Sequence, residues 1–195
     1  VEAVTTGAVD GVLELPGEVG FDQNHLAHVS PRVSGVVQSV SVAEGDRVEA
    51  GDILAILNSR PLADAKAAFL SARARLELAE SSFQREERLW ERQISAEQDF
   101  LNARQALEEA RIVVRSAGQQ LDALGVDAST LPRVNATTNL SLTRYELAAP
   151  IAGTIIERHA VLGEVLEEGG QPPAFIIANT SSVWIDAAIY GGDLG

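Results

Sequence analysis

The chain has 195 residues, of which 15 are basic and 28 acidic, giving a formal net charge of −13; a surface of that sign repels phosphate and argues against a nucleic-acid ligand. The absence of cysteine excludes a disulfide framework, a thiolate metal site and a cysteine nucleophile. Methionine is also absent and the chain opens at Val1, which reads as a processed protein or a fragment, and no run approaches the ~18 consecutive apolar residues of a membrane-spanning helix.

In chain order, an N-terminal segment over 1–27 contains a strand-like stretch, Gly11–Val19. It is followed by Asp22, His25 and His28, a carboxylate and two imidazoles of the kind that suit Zn²⁺ or a similar divalent ion. A spacing of three in an irregular segment does not fix a shared face, so a structural role for both histidines stands beside the metal reading. Residues 28–59 then give an apolar strand (Gly35–Val42), a Glu44-Gly45-Asp46 turn, a short strand at Val48, Gly51, and a third strand (Ile53–Leu57).

From Pro61 to Leu124 the composition changes to Ala, Glu, Arg, Leu and Gln, with no glycine except Gly118, which is helix composition. Leu62, Phe69, Leu76, Phe83 and Trp90 recur every seven residues, with Ala65, Ala72 and Ala79 at a companion position; Phe100, Leu107, Val114 and Leu121 repeat the pattern with Ala103, Ala110 and Ala117. Two heptad seams of large facing small residues predict an antiparallel coiled-coil hairpin over 60–125. Helices of ~30 residues reach about 45 Å, too long to lie wholly on a small sandwich. Pro61 suits a first helical turn, Ser95 with Gln98 reads as a capping box after a break of two or three residues at Arg92-Gln93-Ile94, and Gly125 ends the second helix. The tip therefore falls near Arg92–Ser95. Residues 126–142 show no period and read as a return loop.

Residues 143–181 repeat the first half. Gly35, Gly45 and Gly51 recur as Gly153, Gly163 and Gly169 at one offset of 118, and Asp46 and Val48 recur as Glu164 and Leu166. After a three-residue insertion around Pro172 and Pro173, Leu54–Asn58 matches Phe175–Asn179. One half of about thirty residues cannot close a core, so two halves related by a pseudo-twofold axis should cover each other as a flattened sandwich. Residues 182–195 begin with Val183–Tyr190, a strand outside the repeat that suggests a third, incomplete unit. Residues 61–124 hold nine basic and eleven acidic side chains, leaving six and seventeen in the remainder; the flanks carry the acidity, which serves solubility or attracts cations.

Enzyme chemistry finds little here. There are three histidines and no Gly-x-Ser-x-Gly elbow, and Gly169-Gly170 and Gly191-Gly192-Asp193 lack the Lys-Ser/Thr of a phosphate loop. His159 lies alone on a predicted strand. Without methionine, a thioether site for soft monovalent ions is excluded within this sequence, while divalent cations are not.

Gly51-Asp52-Ile53-Leu54 and its hairpin resemble the half-motif of biotinyl/lipoyl domains. In carrier domains a tight turn between the halves presents a modified lysine; here the helical insert replaces that turn. The single lysine, Lys66, lies in the first helix and reads as a surface salt-bridge residue. The whole arrangement, with Ala27–Gly35, Glu44–Val48, Leu147–Gly153 and Val183–Asp186, resembles the periplasmic adaptor (membrane fusion) proteins of tripartite efflux pumps, in the heavy-metal branch of the resistance-nodulation-division type.

That resemblance implies an elongated α+β fold, a lipoyl-like flattened β-sandwich split by the hairpin, with partial β-barrel strands at both ends. It implies a non-enzymatic adaptor without a resident cofactor, in the periplasm and associated with the inner membrane of a Gram-negative bacterium. Its expected partners are an inner-membrane exporter, an outer-membrane channel and copies of itself in a ring, expected to be a hexamer, with transient divalent metal as cargo. The family's hairpin tip uses an arginine, a leucine four residues on and a serine to dock the channel; Arg85, Leu89 and Ser95 match these, with the leucine-to-serine spacing one residue shorter. The alternatives are a biotinyl/lipoyl carrier domain, or an adaptor of an ABC-type or major-facilitator exporter.

Overall fold

The computed structural model describes residues 16–131 and 141–187. Residues 11–15 and 188–190 of the two outer predicted strands, the middle of the return segment and Gly191-Gly192-Asp193 lie outside the described residues.

Eight strands build two four-stranded sheets. One contains β2 (Leu26–Val29), β4 (Arg47–Val48), β7 (Gly153–Arg158) and β9 (Phe175–Ala178) in the order β2-β9-β7-β4; the other contains β3 (Gly35–Val40), β5 (Ile53–Asn58), β6 (Arg144–Ala148) and β8 (Val165–Leu166) in the order β6-β5-β3-β8. The two orders interchange when each half is replaced by the other, which is the pseudo-twofold read from the glycines. The halves also exchange strands: β4 of the first half pairs with β7 of the second, and β8 of the second with β3 of the first. The turn contacts obey the same symmetry. Gly45 N–H donates to the Ile155 carbonyl at 2.8 Å and Gly163 N–H to the Val37 carbonyl at 2.9 Å.

The third strand of the repeat needs a correction. Ser39 pairs with Ile56 and Val40 with Ala55, whereas Glu157 pairs with Ile176 and Arg158 with Phe175. Ala55 is therefore the counterpart of Phe175, an offset of 120, so the insertion is two residues and not three. Both halves carry the same irregularity, between Val37 and Ser39 and between Ile155 and Glu157, and it is this shared bulge that holds the register.

The strands bury Val37, Leu54, Leu57, Tyr145, Leu147, Ile155 and Ile177 in the core of the sandwich, with a register irregularity between Ile53 and Ala55 interrupting the alternation along β5. Burying each such side chain contributes about 1.5–3 kcal/mol. The same core runs on into the root of the hairpin through Leu62, Phe69 and Leu121.

The hairpin consists of α1 (Arg60–Glu91) and α2 (Glu97–Ala123). Its heptad seam is the interface: Leu62, Ala65, Phe69, Ala72, Leu107 and Leu121 are buried, and Leu76, Ala79, Phe83, Phe100, Ala103, Ala110, Val114 and Ala117 half-buried. Ser59, fully buried, caps α1 by accepting from Leu62 N–H at 3.3 Å, with Pro61 in the first turn. At the other end Gly125 takes φ +80° and Val126 N–H closes on the Leu121 carbonyl at 3.0 Å, the glycine stop expected of a helix C-terminus. The return segment is not wholly irregular, since Asp127 caps a single 3₁₀ turn over Ala128–Thr130.

Two strands stand apart from the sandwich. β1 (Gly17–Phe21) and β10 (Val183–Ala187) pair antiparallel as a separate ribbon, and every residue of both is exposed.

Candidate functional site

A hairpin that spends its apolar seam on itself leaves its outer faces and its tip for contact with anything else. At the tip five residues, 92–96, join the helices, more than the break read from the sequence. Gln93 adopts φ +59°, an uncommon conformation for a side-chain-bearing residue. Gln93 N–H donates to the Trp90 carbonyl at 2.8 Å and Ile94 N–H to the Leu89 carbonyl at 2.9 Å. Just below the turn the Phe100 ring lies 5.7 Å from Phe83 and stacks at 6.0 Å on Trp90. These rings tie the two helices together where they would otherwise fray.

Ser95 does not cap α2. The cap position is Ala96, which makes no side-chain capping bond, and Gln98 donates instead to Asn102 at 2.9 Å. The Ser95 hydroxyl donates to Glu86 Oε2 at 2.9 Å, a charge-assisted bond across the turn that outcompetes the neutral bond to a helix N–H. Glu86 Oε1 lies 4.0 Å from Arg85 Nε. Arg85 itself is well exposed and donates to Ser82 at 3.4 Å. Ser95 N–H meets the Leu89 carbonyl at 3.4 Å. Arg85, Leu89 and Ser95 thus lie at one end of the hairpin, Glu86 linking Ser95 to Arg85 and the backbone linking Ser95 to Leu89. Sequence reasoning missed Glu86, because no helical period relates position 86 to position 95 across a turn.

The other candidates fall elsewhere. His25 Nδ1 lies 2.7 Å from Asp22 Oδ2, and Asp22, nearly fully buried, caps a 3₁₀ turn over Gln23–His25. The bond from His25, then that from Asn24 N–H, holds the Asp22 carboxyl below its ordinary range. His28 sits exposed in β2 opposite Ile176. Among the described residues no group of three or more His, Cys, Asp and Glu could hold a metal ion. His159 Nδ1 lies 3.0 Å from the Pro173 carbonyl.

Lys66 is not a surface salt-bridge residue. It is buried at the hairpin root, its Nζ donating to the Arg144 carbonyl at 3.0 Å, and desolvation lowers its pKa. The sequence placed it correctly on α1, but its heptad position says nothing of β6, which packs beside the root. A lysine tied down in this way has no free arm to carry a prosthetic group.

Residues 64–123 match the family model for a CzcB-like, alpha-helical hairpin domain. Over 194 residues the chain is 40% identical to the cobalt-zinc-cadmium resistance protein CzcB of Cupriavidus metallidurans, aligning all of this chain with 35% of that protein. It is 28% identical over 193 residues to the nickel-cobalt-cadmium resistance protein NccB of Alcaligenes xylosoxydans xylosoxydans, covering 99% of this chain and 45% of that one. The chain thus spans less than half the length of these curated relatives. Among solved structures, ZneB from Cupriavidus metallidurans superposes with a TM-score of 0.65 at 27% identity, covering 93% of this chain and 71% of that one. No helix among the described residues is long and apolar enough to cross a membrane. With a matching hairpin over residues 64–123, a fold shared with ZneB and sequence similarity along its full length, the chain is homologous to the cobalt-zinc-cadmium resistance protein CzcB and carries its kind of alpha-helical hairpin domain.

Proposed function

We propose that this chain is the hairpin-and-sandwich part of a periplasmic adaptor that links an inner-membrane exporter to an outer-membrane channel and serves the export of divalent heavy-metal cations. The observation that carries this reading is the 40% identity to a cobalt-zinc-cadmium resistance protein along the whole of this chain. The architecture supports it as a bridging part, since a 32-residue helix, about 48 Å long, has its root in the sandwich core and carries its far end well beyond it. Copies of the adaptor stand side by side in a ring of six, and the tip residues Arg85, Leu89 and Ser95 dock the channel.

The test is a resistance assay in cells carrying the full-length protein. Arg85→Asp reverses an exposed charge whose polar contacts among the described residues are with Ser82 and Glu86, so the melting temperature should stay within a few degrees while resistance to cobalt, zinc and cadmium salts is lost. Ser95→Arg combined with Arg85→Asp should give the same loss. Full resistance from the double variant at normal abundance would remove the tip from the docking role.

A further inference from the structure

Both long helices end in the same backbone motif, and the sequence fills the two copies differently. At the foot of the hairpin, Gly125 N–H donates to the Asp122 carbonyl at 2.9 Å and Val126 N–H to the Leu121 carbonyl at 3.0 Å, with Gly125 at φ +80°. At the tip, Gln93 N–H donates to the Trp90 carbonyl and Ile94 N–H to the Leu89 carbonyl, with Gln93 at φ +59°. In this helix stop a left-handed residue is followed by one whose apolar side chain ordinarily packs back on the last turn. Val126 follows the rule, being half-buried against the core that contains Leu121. Ile94 does not, and stays 69% exposed.

The tip thus departs from the motif twice. Glycine takes positive φ freely, whereas glutamine there crowds its Cβ against the backbone, and its side chain ends in solvent. An isoleucine left in water adds little to the stability of the fold. Two local rules broken side by side without a gain in packing point to a contact outside the chain. The N–H groups of Gln93, Ile94 and Ser95 all donate inward, which spends the backbone donors of the turn. The Ser95 hydroxyl proton goes to Glu86, leaving the Ser95 oxygen as an acceptor. Trp90, four residues before Ile94, is 39% exposed and adds apolar surface beside it in the sequence.

We propose that Gln93 and Ile94 are specificity-determining residues of the tip: Ile94 is the apolar anchor that enters a socket on the end of the outer-membrane channel, while Gln93 and Ser95 bond to polar groups at its rim, Ser95 as the acceptor from an N–H or O–H. This rests on the docking role proposed above and adds the residue that is desolvated in the contact. The exposed Arg85 charge steers the encounter, and the anchor sets how long the complex lasts.

The test passes the full-length adaptor over the immobilised outer-membrane channel of the same efflux system, in detergent, and reads both rates at low and high salt. Ile94→Ser should raise the dissociation rate about tenfold or more at either salt concentration, and Ile94→Leu by less than about threefold, with both melting temperatures unchanged. Gln93→Gly, which keeps the turn and removes the carboxamide, should raise it about threefold. Unmodified rates for Ile94→Ser beside an Arg85→Asp protein that no longer binds would overturn the anchor and leave the docking role standing. Unmodified rates for both variants would remove both. A lower melting temperature for Ile94→Ser would make Ile94 a structural prop, and weaker self-association with unchanged channel rates would give the tip to a second copy; either result overturns the proposal.

Discussion

Gly45 and Gly163 turn with φ of +89° and +83°, and nothing lies within 4 Å of a Cβ added at either. Alanine at each therefore meets backbone strain and no clash, and the two substitutions should cost a similar amount, about 1 kcal/mol. Gly153 differs in kind. An added Cβ would lie 2.6 Å from the Ala178 carbonyl oxygen, so Gly153→Ala must push β7 and β9 apart and should destabilise more than either turn variant. Urea midpoints of the three variants check the ranking; a Gly153→Ala protein as stable as Gly45→Ala would contradict the close approach of the strands. Lys66 gives a pH signature. Burial lowers its pKa from the ordinary 10.5, so between the folded and unfolded values the unfolded chain binds more protons, and stability rises as pH climbs through that alkaline window. Below the window the penalty for burying the cation is present in full. Lys66→Met should flatten the rise, which denaturant midpoints across the alkaline range would reveal. An identical rise in both proteins would put the ammonium group in solvent.

At the scale of the helices, the alanine track decides how closely α1 and α2 approach. Ala103 is half-buried in the seam, and Ala103→Leu should overpack it at a cost of roughly 1–3 kcal/mol. Leu107 is 4% exposed, and Leu107→Ala should cost about 2–5 kcal/mol through the cavity it leaves. A thermal melt unaffected by either change would refute the seam. This part of the molecule was readable because a period of seven is a geometric property of the helix itself, and the glycine offset was readable because positive φ restricts residue choice so sharply. Interactions between elements left weaker marks. The Ser95-x-x-Gln98 pattern is a sound local signal, yet Glu86 lies nearer to the hydroxyl once the turn closes. The true cap of α1, Ser59, did leave a signal, a serine two places before Pro61. The depth of Lys66 depends on β6, far along the chain, and the β9 register depends on a bulge that apolar runs such as Phe175–Ile177 do not display. At the tip, Arg85, Leu89 and Ser95 came from resemblance; the Glu86 carboxylate that links Ser95 to Arg85 was in no local pattern.

The molecule as a whole is two half-sandwiches that exchange their shortest strands, with the hairpin between them and the ribbon beyond. Neither half can close without the other, because β4 and β8 each complete the opposite partner's sheet. That arrangement bears on the order in which the structure assembles. Ser59 N–H donates to the Thr143 carbonyl at 2.8 Å, so the hairpin and return segment, residues 60–142, begin and end at one point. Once α1 and α2 have zipped, the two halves are held at short range, and most of the loop-closure entropy of joining them has already been met by local helix contacts. The coiled coil, besides reaching outward, is then the folding template of the sandwich at its foot. Leu107→Ala should accordingly slow refolding, whereas Leu166→Ala in β8 should act chiefly by speeding unfolding. Chevron plots of the two variants test this, and a Leu107→Ala protein that refolds at the unmodified rate would mean that the sandwich condenses first and the hairpin zips afterwards.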